Sequence, residues 1–303
     1  MAVSTRIIKH RIKSITNTKK ITKAMELVSG AKMRKAVAAV LATRPYASLS
    51  WETIMELAKR VDPTTHPLLR VAQKRERILL IALFSDRGLC GGYNAQMLRK
   101  LKTVEQLHKT GAAKIDVIAI GKRGIDAFRR AGMNVTAAFT DLSNNATWAD
   151  VRPIALMAID EFKKGNYDEV LMAYTDFRSA VSQIPRVRSL LPIAPGAVAD
   201  ELGVGATVTS KFPPQWSYYE YLFEPSPDEV LEAMLPRLVE TQVFQAVLEG
   251  TASEHSARMF AMKNASDAAR DMIDDLTFTF NQARQANITR EISEISAGKA
   301  ALE

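Results

Sequence analysis

Cysteine is nearly absent: Cys90 is the only one in 303 residues, so no disulfide can form within the chain, which suits a reducing compartment. Long hydrophobic runs are also missing. The longest apolar stretches, such as Ile78–Phe84, fall far short of the ~20 residues a spanning helix needs. Arg6, Lys9, Arg11 and Lys13 interrupt the N-terminus before a signal-peptide core can build up. A soluble protein is expected, or a peripheral one if it meets a membrane. The four histidines (His10, His66, His108 and His255) are scattered, with no metal-ligand spacing and no HExxH, so neither a metal nor a cofactor is expected. No set of nucleophile, base and orienting residue stands out, which argues against independent catalysis.

Acidic residues are scarce at one end. In residues 1–35 ten Lys or Arg stand against Glu26 alone, a net of +9. Residues 227–303 hold seven basic and thirteen acidic residues, a net of −6. The overall +8 therefore hides a basic head and an acidic tail. Such a balance invites an acidic partner, whether nucleic acid, a membrane surface or a protein.

Helix breakers are few at both ends. Residues 3–59 contain one glycine, Gly30, and no proline before Pro45, where a kink is expected. Ile8, Ile12 and Ile15 recur at helical spacing, as do Ile21, Met25 and Val28, with Lys19 and Lys20 in the gap between the two sets. Residues 228–297 hold only Pro236 and Gly250 as breakers. There His255, Met259, Met262, Ser266, Ala269, Ile273, Leu276, Phe280 and Ala283 alternate steps of four and three, the signature of a coiled-coil seam. After Ala283 the apolar stripe slips to Ile288, Ile292 and Ile295. A helix of this length is roughly 100 Å long, too long for one globular domain to bury.

Between the ends the pattern alternates. Strands are predicted at Ile78–Phe84, Ile115–Ile120, Val135–Phe139 and Val170–Tyr174, with helices at Gln96–His108, Lys122–Ala131 and Trp148–Lys163. Ala180–Ile193 and Tyr218–Phe223 read as strand without helix, an antiparallel edge or hairpin, and Ala194–Ser210 as a loop. The fold class is therefore α/β: a Rossmann-like α/β domain inserted between N- and C-terminal helices that pair as a long antiparallel coiled coil. The expected domains are residues 1–60 for the first helix, 75–225 for the α/β domain and 227–303 for the last helix.

Two segments carry possible chemistry. Ser85–Asn94 (SDRGLCGGYN) follows a strand and opens a helix, where phosphate-binding loops sit. Its spacing is neither GxGxxG nor a P-loop, and the favoured reading is a tight turn needing positive φ. The basic stretch Lys19–Lys35 suits phosphates or an acidic protein surface, and without interleaved aromatics it does not suit stacking on single strands. The cluster Trp216–Phe223 offers one aromatic face to a core and the other to a docking surface.

Several runs resemble the gamma subunit of F-type ATP synthases: TNTKKITKAMELVSGAKMRKA, SDRGLCGGYN, YLFEP, ASEHSARMFAMKNASDAARDMIDDL and NQARQANITREISEI. They fall in the right order from one end to the other. The resemblance implies a central rotary stalk that couples ion flow through a membrane ring to ATP synthesis. It implies alpha, beta, epsilon and c-ring partners, a peripheral place on the cytoplasmic face of the inner membrane, and no nucleotide chemistry of its own. Met25, Arg284, Gln285 and Thr289 match positions that catch a beta subunit, and Lys19, Lys20 and Lys23 a basic face toward beta. Tyr219, Tyr221 and Glu224 match the foot near the c-ring or epsilon. Plant-type members carry a cysteine pair in the loop matching Ala194–Ser210; its absence implies no thiol regulation. The alternative is a basic coiled-coil protein that binds nucleic acid.

Overall fold

Residues 77–83 alternate aliphatic side chains to both sides, which only a strand covered on both faces accommodates. This strand, β1 (Arg77–Leu83), is the centre of a five-stranded sheet in the computed structural model, which describes residues 5–58, 66–72, 74–109, 114–144, 146–193, 224 and 226–300. The other strands are β2 (Lys114–Ile120), β3 (Asn134–Phe139), β4 (Glu169–Phe177) and β5 (Gln183–Leu191), in the order β3-β2-β1-β4-β5. β1 to β4 run parallel, and β5 returns antiparallel to β4 as the edge.

Two helices cover one face of the sheet: α2 (Tyr93–Lys109) and α3 (Lys122–Arg130). Ile78, Leu80 and Ala82 of β1, and Phe84 just after it, turn toward them, with Met97 and Phe128 in the same buried cluster. Leu79, Ile81 and Leu83 turn the other way, toward α4 (Trp148–Lys163) and the long final helix α5 (Pro227–Ala300). Ile154, Ala158, Leu235, Leu238 and Val243 complete that core, the larger of the two. His66 is buried here rather than at the surface. Its Nδ1 accepts from the Leu68 amide (3.1 Å), which leaves Nε2–H to donate to Glu232 (2.7 Å).

The first helix, α1 (Thr5–Ala58), continues through Pro45, whose ring lies on the exposed side. The chain falls into two compact units, Met1–Ser29 with Arg258–Glu303 and Gly30–Ala257. In the second unit α1 and α5 are antiparallel neighbours: Thr43 bonds Gln245 (2.6 Å), and Gln242 bonds the Ala47 carbonyl (3.2 Å). Ala36, Val40, Leu248 and Ala252 fill the space between them with Phe177. The small alanines allow close approach of the two backbones.

Among its described residues the first unit consists of helix alone. On α5 the covered residues follow the predicted seam, with Met262, Ser266 and Ala269 buried and Ile273, Leu276, Phe280 and Ala283 half-buried. On α1 the seam differs from the apolar pattern. Ile8, Thr22 and Ser29 are buried, whereas Ile21 and Val28 are 61% and 57% exposed. Positions 8, 15, 22 and 29 keep one heptad phase, so no break occurs at Lys19–Lys20; the stripe continues through small polar residues instead. The slip after Ala283 also faces outward: Ile288, Ile292 and Ile295 are all exposed.

Candidate functional site

In an open α/β sheet the ligand crevice lies at the carboxyl ends of the strands, where the strand order reverses. Here the reversal falls between β1 and β4. Beside it, at the ends of β1 and β2, Leu83, Phe84, Tyr93 and Ile120 face Val247, Gly250, Thr251 and Glu254 of α5. Tyr93 donates its hydroxyl to the Gly250 carbonyl (3.2 Å), and Ser253 donates to the Thr175 carbonyl (3.1 Å). What remains is a cavity of about 20 Å³, about the space of one water molecule. Helix α5 of the same chain thus covers this end of the sheet.

The glycine turn is tied to itself. The Ser85 amide donates to Asn94 Oδ1 (3.2 Å), and Asn94 Nδ2 donates to Ser85 Oγ (2.7 Å) and toward the buried Cys90 sulfur (3.4 Å). Gly91 has φ +56, and Leu89 shares the left-handed region at +63 with its side chain exposed. At the head of α3, the position that favours an anion, Asp86 is already placed. Its carboxylate accepts from the Lys122 amide (3.2 Å), the Asp141 amide (2.9 Å) and the Ser143 hydroxyl (3.3 Å). The turn is a structural tether rather than a phosphate cradle. The loop it holds reaches both long helices, through Lys32 to Asn144 (2.8 Å) and His255 Nε2–H to the Ser143 carbonyl (2.9 Å). Sequence reading missed this loop, because Ser143 and Asn144 sit in no motif.

The residues matched to partner contacts lie on the first unit. Lys20 and Lys23 are exposed, Lys19 and Met25 are half-buried, and Lys23 pairs with Glu26 at 3.0 Å. Arg284, Gln285 and Thr289 are exposed on α5. Arg284, Gln285 and Thr289 fall within two turns of α5. Glu224 is exposed, and Tyr219 and Tyr221 lie outside the described residues, as do the whole loop 194–210 and the expected strand 218–223. Among the described residues no cluster of three or more His, Cys, Asp or Glu is arranged to hold a metal, and no helix is long and apolar enough to cross a membrane.

A family model described as ATP synthase matches residues 4–302. The chain is 44% identical to the ATP synthase gamma chain of Herpetosiphon aurantiacus, over 99% of both chains. It is 42% identical to that of Moorella thermoacetica, over 98% of this chain and 99% of the relative. Among solved structures, a chain of the Euglena gracilis mitochondrial ATP synthase (OSCP/F1/c-ring, rotational state 3) superposes with a TM-score of 0.66 at 20% identity, covering 98% of this chain and 94% of that one. A chain of the Tetrahymena thermophila central stalk and c-ring structure gives 0.61 at 22% identity, over 81% and 99%. These relatives lend no support to the nucleic-acid reading.

Proposed function

The chain belongs to the ATP synthase gamma-chain family, and from that premise we propose how its helix pair and sheet do the work of a central rotary stalk. As a gamma chain it is a subunit of the ATP synthase complex and not its catalytic subunit. In this reading the α/β domain stands against a membrane ring of c subunits and an epsilon subunit, at the cytoplasmic face of the membrane. The α1–α5 pair reaches into a ring of alpha and beta subunits, and its turning passes the energy of ion flow to their ATP-forming sites.

The observation that carries this is the apolar outer face of the first unit. Its seam buries Thr22, Ser29 and Ser266 alongside Ile8 and Met262, while Ile7, Ile21, Leu27, Val28, Met272 and Phe278 stand exposed. A solvated coiled coil hides its large aliphatic residues. One that shows them, over more than one turn, is built to be covered by another protein. Basic Lys19, Lys20 and Lys23 lie among them and suit an acidic surface on beta. Met25 on α1, and Arg284, Gln285 and Thr289 on α5, supply contacts that form and break as the shaft turns. Exposed hydrogen bonds fit that role, since each is worth only ~0.5–1.5 kcal/mol and can be exchanged. Driving the beta sites requires contacts that differ between their conformations.

The test is affinity capture of the tagged chain from its own membranes under mild detergent. Co-purification of alpha, beta, epsilon and c subunits is expected; recovery of the chain without alpha and beta would sink the reading.

A further inference from the structure

A polar chain, buried at Gln245 and Glu249 and half-exposed at Thr43 and Arg44, ties three elements together where α1 and α5 pass the end of β4. Thr43 of α1 donates to Gln245 of α5 (2.6 Å), and Gln245 Nε2 donates to Glu249 Oε1 (3.0 Å). The same Glu249 oxygen receives Arg44 of α1 (3.1 Å), and Arg44 also donates to the Phe177 carbonyl at the end of β4 (3.3 Å). Just below, Ser253 holds the Thr175 carbonyl (3.1 Å) and Ser256 bonds the Ala180 carbonyl in the β4–β5 hairpin. Asp176, itself buried, is held by Arg178 (2.9 Å) and Arg186 (3.0 Å). Glu249 is 1% exposed, and no protein donor among the described residues reaches its second oxygen.

Stability alone does not account for such a site. Holding the Glu249 carboxylate under cover, with an Arg44 partner whose side chain is still 37% exposed, costs desolvation that well-packed apolar groups avoid. What directional bonds add is register. The apolar contacts beside them, Ala36, Val40, Leu248 and Ala252, hold the helices together but are non-directional. They resist separation more than sliding or twisting. The Arg44 guanidinium, shared between Glu249 and Phe177, fixes α1 against α5 and both against the sheet at once.

We propose that Arg44 and Glu249 form a register lock: positioning residues that make α1, α5 and the end of β4 move as one body, so that torque applied to the sheet domain reaches the helix pair without slip. The lock rests on the stalk reading above. Its loss leaves ATP hydrolysis largely intact while weakening the link between hydrolysis and ion movement.

The experiment uses inverted membrane vesicles carrying the whole complex, with ATP hydrolysis and the ATP-driven membrane potential (an oxonol dye signal) measured on the same sample. Arg44→Ala and Glu249→Ala are expected to lower the potential built per ATP hydrolysed several-fold at equal content of the chain. Arg44→Lys, which keeps the charge but loses the planar guanidinium whose Nη2 reaches both acceptors, should fall between these and wild type. Val40→Ala, which thins the neighbouring apolar contact, should leave the ratio unchanged even if it lowers the amount of complex. A wild-type ratio in Glu249→Ala, or an equal fall in Val40→Ala, overturns the lock. If the alanine variants do not assemble, Arg44→Lys decides, and a wild-type ratio there also overturns it. Vesicles lacking the chain that still couple hydrolysis to a potential would instead strike the stalk reading itself.

Discussion

The Tyr93 hydroxyl donates to the backbone carbonyl of Gly250, joining the first turn of α2 to the middle of α5 at the end of the sheet that α5 covers. Gly250 keeps the approach close: a Cβ there would sit 3.3 Å from Leu83 Cδ2, a tight contact, and 3.6 Å from the Tyr93 oxygen.

Tyr93→Phe removes that bond and leaves a buried carbonyl without its side-chain donor. A loss of ~1 kcal/mol in unfolding free energy is expected by urea titration. ATP or NAD titrated into the purified wild-type chain should show no tight stoichiometric binding, because α5 covers this end of the sheet. Tight binding with one site per chain would refute that reading.

Gly121→Ala should be far more damaging. Gly121 has φ +92, and a Cβ there would meet the Phe84 carbonyl oxygen at 2.2 Å. Backbone strain alone costs ~1–3 kcal/mol, and the clash adds to it. Little folded chain should be recovered, with a sharply lower melting temperature in what remains. A melting curve that overlays wild type would show that the β2–α3 turn has another way to close.

Arg284→Ala and Gln285→Ala change exposed residues on α5. Their effect on the melting of the isolated chain should stay within ~0.5 kcal/mol, while ATP turnover of the assembled complex falls. Unchanged turnover removes these residues from the proposed contact with beta.

Lys20→Glu with Lys23→Glu reverses two exposed charges on α1. Weaker association with the catalytic ring is expected, with the deficit smaller at high salt because exposed charges are screened. Equal binding at low and high salt would mean that this face meets no acidic surface.

Glu249 supplies a pH dependence. Burial raises its carboxyl above the ordinary 4.5, the Asp176 carboxylate adds to that, and Gln245 and Arg44 oppose it. A raised folded-state value means the folded chain holds this proton more firmly than the unfolded chain. The stabilisation it gives is complete below pH 4.5 and is lost as pH rises through the folded-state value. Thermal melts of wild type should therefore decline with rising pH over that window relative to Glu249→Gln, which cannot titrate. Parallel curves for the two would dismiss the effect.

Much of the architecture was legible before any coordinates. β1 stood out because a strand covered on both faces must be apolar throughout, and the α5 seam stood out because its repeat of four and three persists from His255 to Ala283. The α1 seam was misread at Ile21 and Val28. Periodicity assigns every apolar residue to the chain's own core, since in the sequence alone water is the only other surroundings available. Thr22 and Ser29 won those positions because they keep phase with Ile8 and Ile15, and a neighbouring helix selects phase before hydrophobicity. The outward Ile21 and Val28 then become the sign of a surface made for another protein.

The sequence by itself determined the helical ends, the alternating middle, the opposite charges of head and tail, and the family. Each is written in local spacing and composition, which survive without knowledge of what lies across from what. Only the tertiary structure decided that α5 covers the ends of β1 and β2, that Asp86 fills the anion position at α3, and that Arg44 meets Glu249. Those contacts join residues from 36 to 205 positions apart, and no periodicity along the chain encodes which distant groups will meet once the backbone has folded.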